Sequence, residues 1–204
     1  MSVKLSIIYY SQTATTYELA RAMAESAESL GAEVRLRKVA ELAPQSAIDA
    51  NPKWKAHIEA TQHIQEASMD DLDWADAIAL GTPTRFGQPS SQLKQFMDQA
   101  GGLWFQGKLV NKFASSFVSA STPHGGHEST LLAINNTFYH WGAIIVGPAY
   151  ADPIQFQAGN PYGTSFTSNN GELSPDEVAI KGAQFQIKRL LEVTAQFKGE
   201  KIPA

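Results

Sequence analysis

Short strand-like runs alternate with amphipathic stretches of helical period from one end of the chain to the other. A strand that is followed by a helix cannot turn straight back on its neighbour. It returns by a crossover, so the alternation predicts a doubly wound sheet of five parallel strands with helices on both faces. In that architecture ligands bind at the carboxyl ends of the strands.

The expected strands are Leu5–Tyr10, Val34–Val39, Ala77–Leu80, Phe113–Ser119 and Ala143–Val146. The first is apolar enough for a buried position, whereas the second alternates apolar and charged residues, as near a sheet edge. Leu19, Met23, Ala27 and Leu30 form the buried stripe of the first helix, with Gly31 at its carboxyl cap. Leu93, Phe96, Met97 and Ala100 form a second stripe, ended by a Gly101-Gly102 break; Leu131, Ile134 and Phe138 form a third. Ser174-Pro175-Asp176-Glu177 opens the last helix with a cap, a first-turn proline and acidic residues, and Ile180, Ala183, Ile187 and Leu190 are its inner face. A single domain over residues 1–204 is expected, with excursions near 40–72 and 147–172. The second excursion carries Tyr150, Phe156, Tyr162 and Phe166, an aromatic set that suits either a partner surface or a self-contained lid.

Composition removes several functions. With no cysteine, thiolate catalysis, disulfides and Cys-ligated metal are excluded, and any redox chemistry must come from an organic cofactor. A net charge of −4 argues against nucleic acid as a partner. No apolar run reaches membrane-spanning length, and no signal-peptide pattern opens the chain, so a cytoplasmic location without membrane insertion is expected.

Three loops fall at the predicted carboxyl edge. Ser11-Gln12-Thr13-Ala14-Thr15-Thr16 offers hydroxyls and the N–H groups of a helix start, which suit a phosphate monoester; the same residues also read as an ordinary helix cap. It has neither lysine nor glycine, so no P-loop or G-x-G-x-x-G pattern is met. In the second loop, Thr82-Pro83-Thr84-Arg85-Phe86-Gly87, Arg85 and Phe86 either border a flavin ring or serve as a surface ion pair and a core aromatic. The third, Ser119-Ala120-Ser121-Thr122-Pro123-His124-Gly125-Gly126-His127, is small and glycine-rich enough for close approach of a planar ligand. Its two histidines lack the partners that a metal needs, and no metal site is expected. Trp104 either roofs a planar substrate or is a half-buried core residue; His140 is either a helix carboxyl cap or a contact made to a neighbouring subunit.

Ser11–Thr16, Gly81-Thr82-Pro83-Thr84-Arg85-Phe86-Gly87 and Gly101-Gly102-Leu103-Trp104 together resemble the WrbA family of flavodoxin-like NAD(P)H:quinone oxidoreductases, and the likeness extends over nearly the whole chain, including Pro161-Tyr162-Gly163. The resemblance implies a flavodoxin-like fold, FMN as cofactor, NADH or NADPH as donor, a quinone or similar flat acceptor, and a homotetramer, with a dimer as the alternative. It implies ping-pong hydride transfer, with Ser11–Thr16 on the phosphate and ribityl chain, and Pro83, Thr84, Arg85, Phe86, Gly87 and Ser119–Gly126 around the ring. It assigns Arg85, Trp104 and His140 to catalysis, His140 across a subunit interface. Thr13 stands where members often carry a tyrosine implicated in nicotinamide binding, and Ala120–Gly125 replaces a common Ser-Thr-Gly-Thr-Gly-Gly. Rival readings are a flavodoxin-type electron carrier and an azoreductase or FMN reductase on the same fold. The three loops hold no Asp or Glu, which favours an enzyme over a low-potential carrier. A phosphoryl receiver needs an acidic pair where this chain has Tyr10-Ser11, and is excluded.

Overall fold

Burial sorts the apolar runs into a sheet with two separate cores. The computed structural model describes residues 2–199, which run in chain order as β1 (Lys4–Tyr9), α1 (Thr15–Ser29), β2 (Glu33–Lys38), α2 (Gln45–Asp49), α3 (Pro52–Ala60), α4 (Met69–Trp74), β3 (Ala77–Arg85), β4 (Gln88–Pro89), α5 (Ser91–Asp98), α6 (Gly101–Phe105), β5 (Phe113–Ala120), α7 (His127–Trp141), β6 (Ile144–Ile145), α8 (Pro153–Ala158), β7 (Ser165–Thr167) and α9 (Glu177–Lys198). The main sheet has the order β2-β1-β3-β5-β6, all parallel, with β2 at an edge as its mixed polarity predicts. Leu5, Ile7 and Tyr9 point to one face, where α1 and α9 cover them; Ile8 and Tyr10 point to the other, with Leu72 of α4, Leu93 of α5 and Leu131 of α7. The central strands β1 and β3 are thus apolar on both sides, which is why their runs show little alternation.

The chain winds outward from β1 to β2, then crosses back to β3 on the other side. A crevice therefore opens at the carboxyl ends of β1 and β3.

Several sequence expectations need correction. Thr82–Gly87 is not a loop. β3 stays paired to β5 through Pro83, then Thr84 and Arg85 fold back on β4. The hairpin turns on two residues, Phe86 and Gly87, both with positive φ (52° and 76°), the type I′ geometry that matches strand twist. Gly101-Gly102 does not break structure but opens α6. The excursion after β2 holds α2 and α3; Asn51-Pro52, a capping Asn followed by a first-turn proline, starts α3. The last helix begins at Glu177, capped by the Asp176 carboxylate on the Ala179 N–H at 2.8 Å, so Ser174 and Pro175 lie ahead of it.

The second excursion splits the outermost strand in two. β6 pairs with the start of β5 and β7 with its end, so the chain leaves the sheet after β6 and rejoins it. Gln186 of α9 secures the return. Its Oε1 accepts from the Thr164 N–H (2.6 Å), and its Nε2 donates to the Ser115 hydroxyl (2.6 Å) and the Ser116 carbonyl (2.8 Å), all buried. Of the excursion's aromatics, Phe166 packs on the core, while Tyr150 and Phe156 are exposed and pair with each other at 5.2 Å.

Candidate functional site

A cleft of about 270 Å3 lies at the carboxyl edge, where the crevice was expected. Ser11, Gln12, Thr13, Thr15 and Thr16 form one wall; Pro83, Thr84 and Arg85 form another; Ser119, Ala120 and Ser121 close the floor. The three segments are distant in sequence. Parallel pairing of β1, β3 and β5 brings their ends together.

The first wall is built to bind rather than to cap. Ala14 takes a left-handed conformation (φ 72°), and no side chain among the described residues caps α1. The first-turn N–H groups of a helix have no partner within it, so those of α1 remain for a ligand. The Ser11 hydroxyl is buried and has no hydrogen-bond partner among the described residues. Thr16 is anchored to the floor by its hydroxyl contact with Ser119 at 2.9 Å. A buried unsatisfied hydroxyl costs free energy until something fills its place. Hydroxyls, free amides and a positive helix end are the donor set for a phosphate monoester, and they fit the phosphate of FMN. The ordinary-cap alternative fails on the absence of any side-chain cap.

Arg85 forms no carboxylate pair among the described residues. Its guanidinium donates to Gln12 Oε1 at 2.6 Å and to the Thr84 carbonyl at 3.0 Å, so a fixed cation stands at the mouth. Thr84 is held by a hydroxyl contact with Thr130 at 2.7 Å. Phe86 is fully exposed at the hairpin tip, which overturns the core alternative, and it does so in a strained conformation. Phe86 and Gly87 stand beyond the cleft wall, and Gly87 lies close against Gly126 of the third loop.

Only the beginning of that third loop lines the cleft. Thr122, Pro123 and His124 are exposed outside it, and Gly125 and Gly126 turn the chain into α7. His127 is buried and its Nε2 meets the Phe166 carbonyl at 3.2 Å, a structural tie to β7. Among the described residues, no acidic side chain lines the cleft.

Trp104 and His140 are not brought to this cleft. α6 and the end of α7 lie where β5 begins, at the opposite end of the sheet. There the Trp104 Nε1–H donates to the His140 carbonyl at 2.8 Å, with Trp104 about half exposed and His140 exposed.

Four lining residues carry no motif: Asn51, Ser168, Asn170 and Gly171, supplied by the two excursions. Their only trace in sequence is the turn-forming Asn169-Asn170-Gly171 run and the capping Asn51.

Comparison with known proteins gives the family and the fold. The family model for NADPH-dependent FMN reductase matches residues 4–157. The chain is 46% identical over 198 residues to a Deinococcus radiodurans protein named NAD(P)H dehydrogenase (quinone), covering 97% of this chain and 98% of that one. It is 39% identical over 202 residues to a protein of the same name from Methylocella silvestris, covering 96% and 99%. Among solved structures, the flavodoxin, WrbA-like protein from Agrobacterium tumefaciens superposes with a TM-score of 0.66 at 22% identity, covering 96% of this chain and 99% of that one. That likeness gives the flavodoxin-like fold.

Proposed function

The chain belongs to the NADPH-dependent FMN reductase family, and from that premise we propose that it catalyses two-electron reduction of quinones by NADH or NADPH with FMN as cofactor. The observation that carries the reading is the carboxylate-free cleft whose buried Ser11 hydroxyl and uncapped α1 amides await an anion. When bound, FMN would supply the hydride chemistry that couples nicotinamide oxidation to quinone reduction, which we read as ping-pong. One NAD(P)H, one proton and one quinone give one NAD(P)+ and one hydroquinone.

The residues bind and orient. Ser11, Thr13, Thr15 and Thr16, with the amides of α1, hold the phosphate. Pro83, Thr84, Ala120 and Ser121 border the ring. Arg85, fixed by Gln12 and Thr84, places positive charge where the reaction develops negative charge. Phe86 offers a flat face at the rim to a flat acceptor. Negative charge around the site would oppose two-electron reduction, and the cleft lining has none.

Trp104 and His140 act on the cleft of a second copy, in a homotetramer. Support comes from their exposure at the far end of the sheet beside Phe105, Val110 and Tyr139, which are 85%, 53% and 71% exposed. Aromatic surface of this kind is covered in an assembly. The chain acts as a single domain in the cytoplasm; among the described residues, no helix is long and apolar enough to cross a membrane.

The test is direct. Protein mixed with FMN and desalted keeps the flavin's yellow absorbance, then oxidises NADH or NADPH with 1,4-benzoquinone in equal amounts, giving parallel double-reciprocal lines. Protein that retains no FMN, or adds nothing to the background rate, refutes the proposal. Sedimentation that finds only monomer at micromolar concentration removes the tetramer and the role of Trp104 and His140.

A further inference from the structure

The phosphate end of the cleft is roofed by residues 168–171, which approach from a part of the chain far from the first loop. Ser168 is buried and ties down the strap's base: its N–H and hydroxyl both donate to the Ala120 carbonyl, and its Oγ accepts the Gly171 N–H at 3.2 Å. Asn169, Asn170 and Gly171 then all have positive φ (47°, 56° and 77°). Three such residues in a row are tolerable only because Asn and Gly visit this region at low cost. The bend lays Gly171 directly on Thr13, so closely that a Cβ there would stand 2.6 Å from the Thr13 hydroxyl.

Lys53 fastens this strap. Its Nζ donates to the Gly171 carbonyl at 3.1 Å, across 118 positions of sequence. Its placement is otherwise unfavourable. Lys53 sits in the first turn of α3, just after the capping Asn51 that lines the cleft, and a cation at a helix amino terminus opposes the macrodipole. No carboxylate pairs with it among the described residues. Two carboxylates stand near the strap: Glu172, which accepts from Asn169 Nδ2 at 2.7 Å, and Glu18, which accepts from the Ser174 hydroxyl at 3.5 Å. They work against an anion in a first loop that has no lysine or arginine of its own.

We infer that Lys53 is a further cofactor-binding residue, the cation that offsets the phosphate of FMN at the strap and makes the cleft prefer the phosphorylated flavin to riboflavin. This rests on the FMN reading above. An ammonium with one N–H on a carbonyl keeps two for an anion, and a charge-assisted contact at a partly solvated rim is worth about a fivefold to tenfold change in affinity.

The experiment titrates apoprotein with FMN and with riboflavin, reading the quench of flavin fluorescence, for wild type, Lys53→Met and Lys53→Arg, each checked for native far-ultraviolet dichroism and at two salt concentrations. Lys53→Met is expected to weaken FMN about fivefold to tenfold while riboflavin changes less than about twofold, and to flatten the salt dependence of FMN binding. Lys53→Arg keeps most of the preference. Equal weakening of both flavins would mean that Lys53 only shapes the strap, and unchanged affinity for both would mean that it plays no part; either overturns the inference while leaving FMN as cofactor. Wild-type protein that binds neither flavin refutes the cofactor reading itself.

Discussion

Ser11→Ala is expected to move two measurable quantities in opposite directions. The Ser11 hydroxyl is buried and has no hydrogen-bond partner among the described residues. An unsatisfied buried hydroxyl of this kind costs about 1–3 kcal/mol, and a methyl in its place removes that cost. The smaller side chain leaves only a minor void, so the net gain in apoprotein stability is about 1 kcal/mol, or about 2–4 °C in melting temperature for a chain of this length. With FMN bound, the same hydroxyl completes the phosphate's donor set, and its loss weakens binding by about 1–1.5 kcal/mol, close to tenfold in Kd. The assay is thermal unfolding of apoprotein and of protein saturated with FMN, with Kd from fluorescence titration. The variant apoprotein should melt higher and gain less from FMN than the wild type does. A variant with unchanged FMN affinity would refute the assignment of Ser11 to the phosphate site. Lower apoprotein stability would show that the hydroxyl has a native partner after all.

Gln186→Leu strands the buried Thr164 N–H and takes a donor from the Ser116 carbonyl and from the Ser115 hydroxyl, which keeps its own bond to the Val146 carbonyl, and is expected to cost about 2–3 kcal/mol; a chemical-denaturation midpoint within error of wild type would contradict it. Arg85→Ala removes the fixed cation at the mouth, so the midpoint potential of bound FMN should fall by up to about 30 mV, the two-electron equivalent of 1.4 kcal/mol, and quinone turnover should slow. Spectroelectrochemistry and initial rates that both match wild type would take Arg85 out of the mechanism. His57 is held neutral: burial and then the Lys38 charge push it down to about 4 from 6.5. Above pH 6.5 it has no effect on stability; as pH falls from 6.5 towards 4 the unfolded chain takes up a proton that the folded one refuses, and up to about 3 kcal/mol is lost. His57→Gln should flatten that segment of the stability–pH curve, and parallel curves for the two proteins would refute it.

The alternation of short apolar runs with amphipathic helices was legible because both signals are local: a strand buried on two faces is apolar throughout, and a helix repeats its inner stripe every three or four residues. That alone led to the parallel sheet and the carboxyl-edge site, with Ser11–Thr16, Pro83–Arg85 and Ser119–Ser121 around it. Local signals also misled. The hydroxyls of Thr13 and Thr15 look like a helix cap but leave α1 uncapped, and Thr82–Arg85, punctuated by proline, reads as loop while β5 holds its first half in the sheet and β4 pairs with the rest.

Only tertiary structure decided the rest, because it concerns distances between residues far apart in the chain. Nothing near Lys53 announces Gly171, and nothing near Thr13 announces the strap that rests on it. Trp104 and His140 stand beside motifs of the site yet lie at the other end of the sheet, since a helix that follows a parallel strand carries its last residues back to where that strand began. Sequence period says which face of an element is buried. Which elements close a cleft depends on how long connections return, and no local pattern records that.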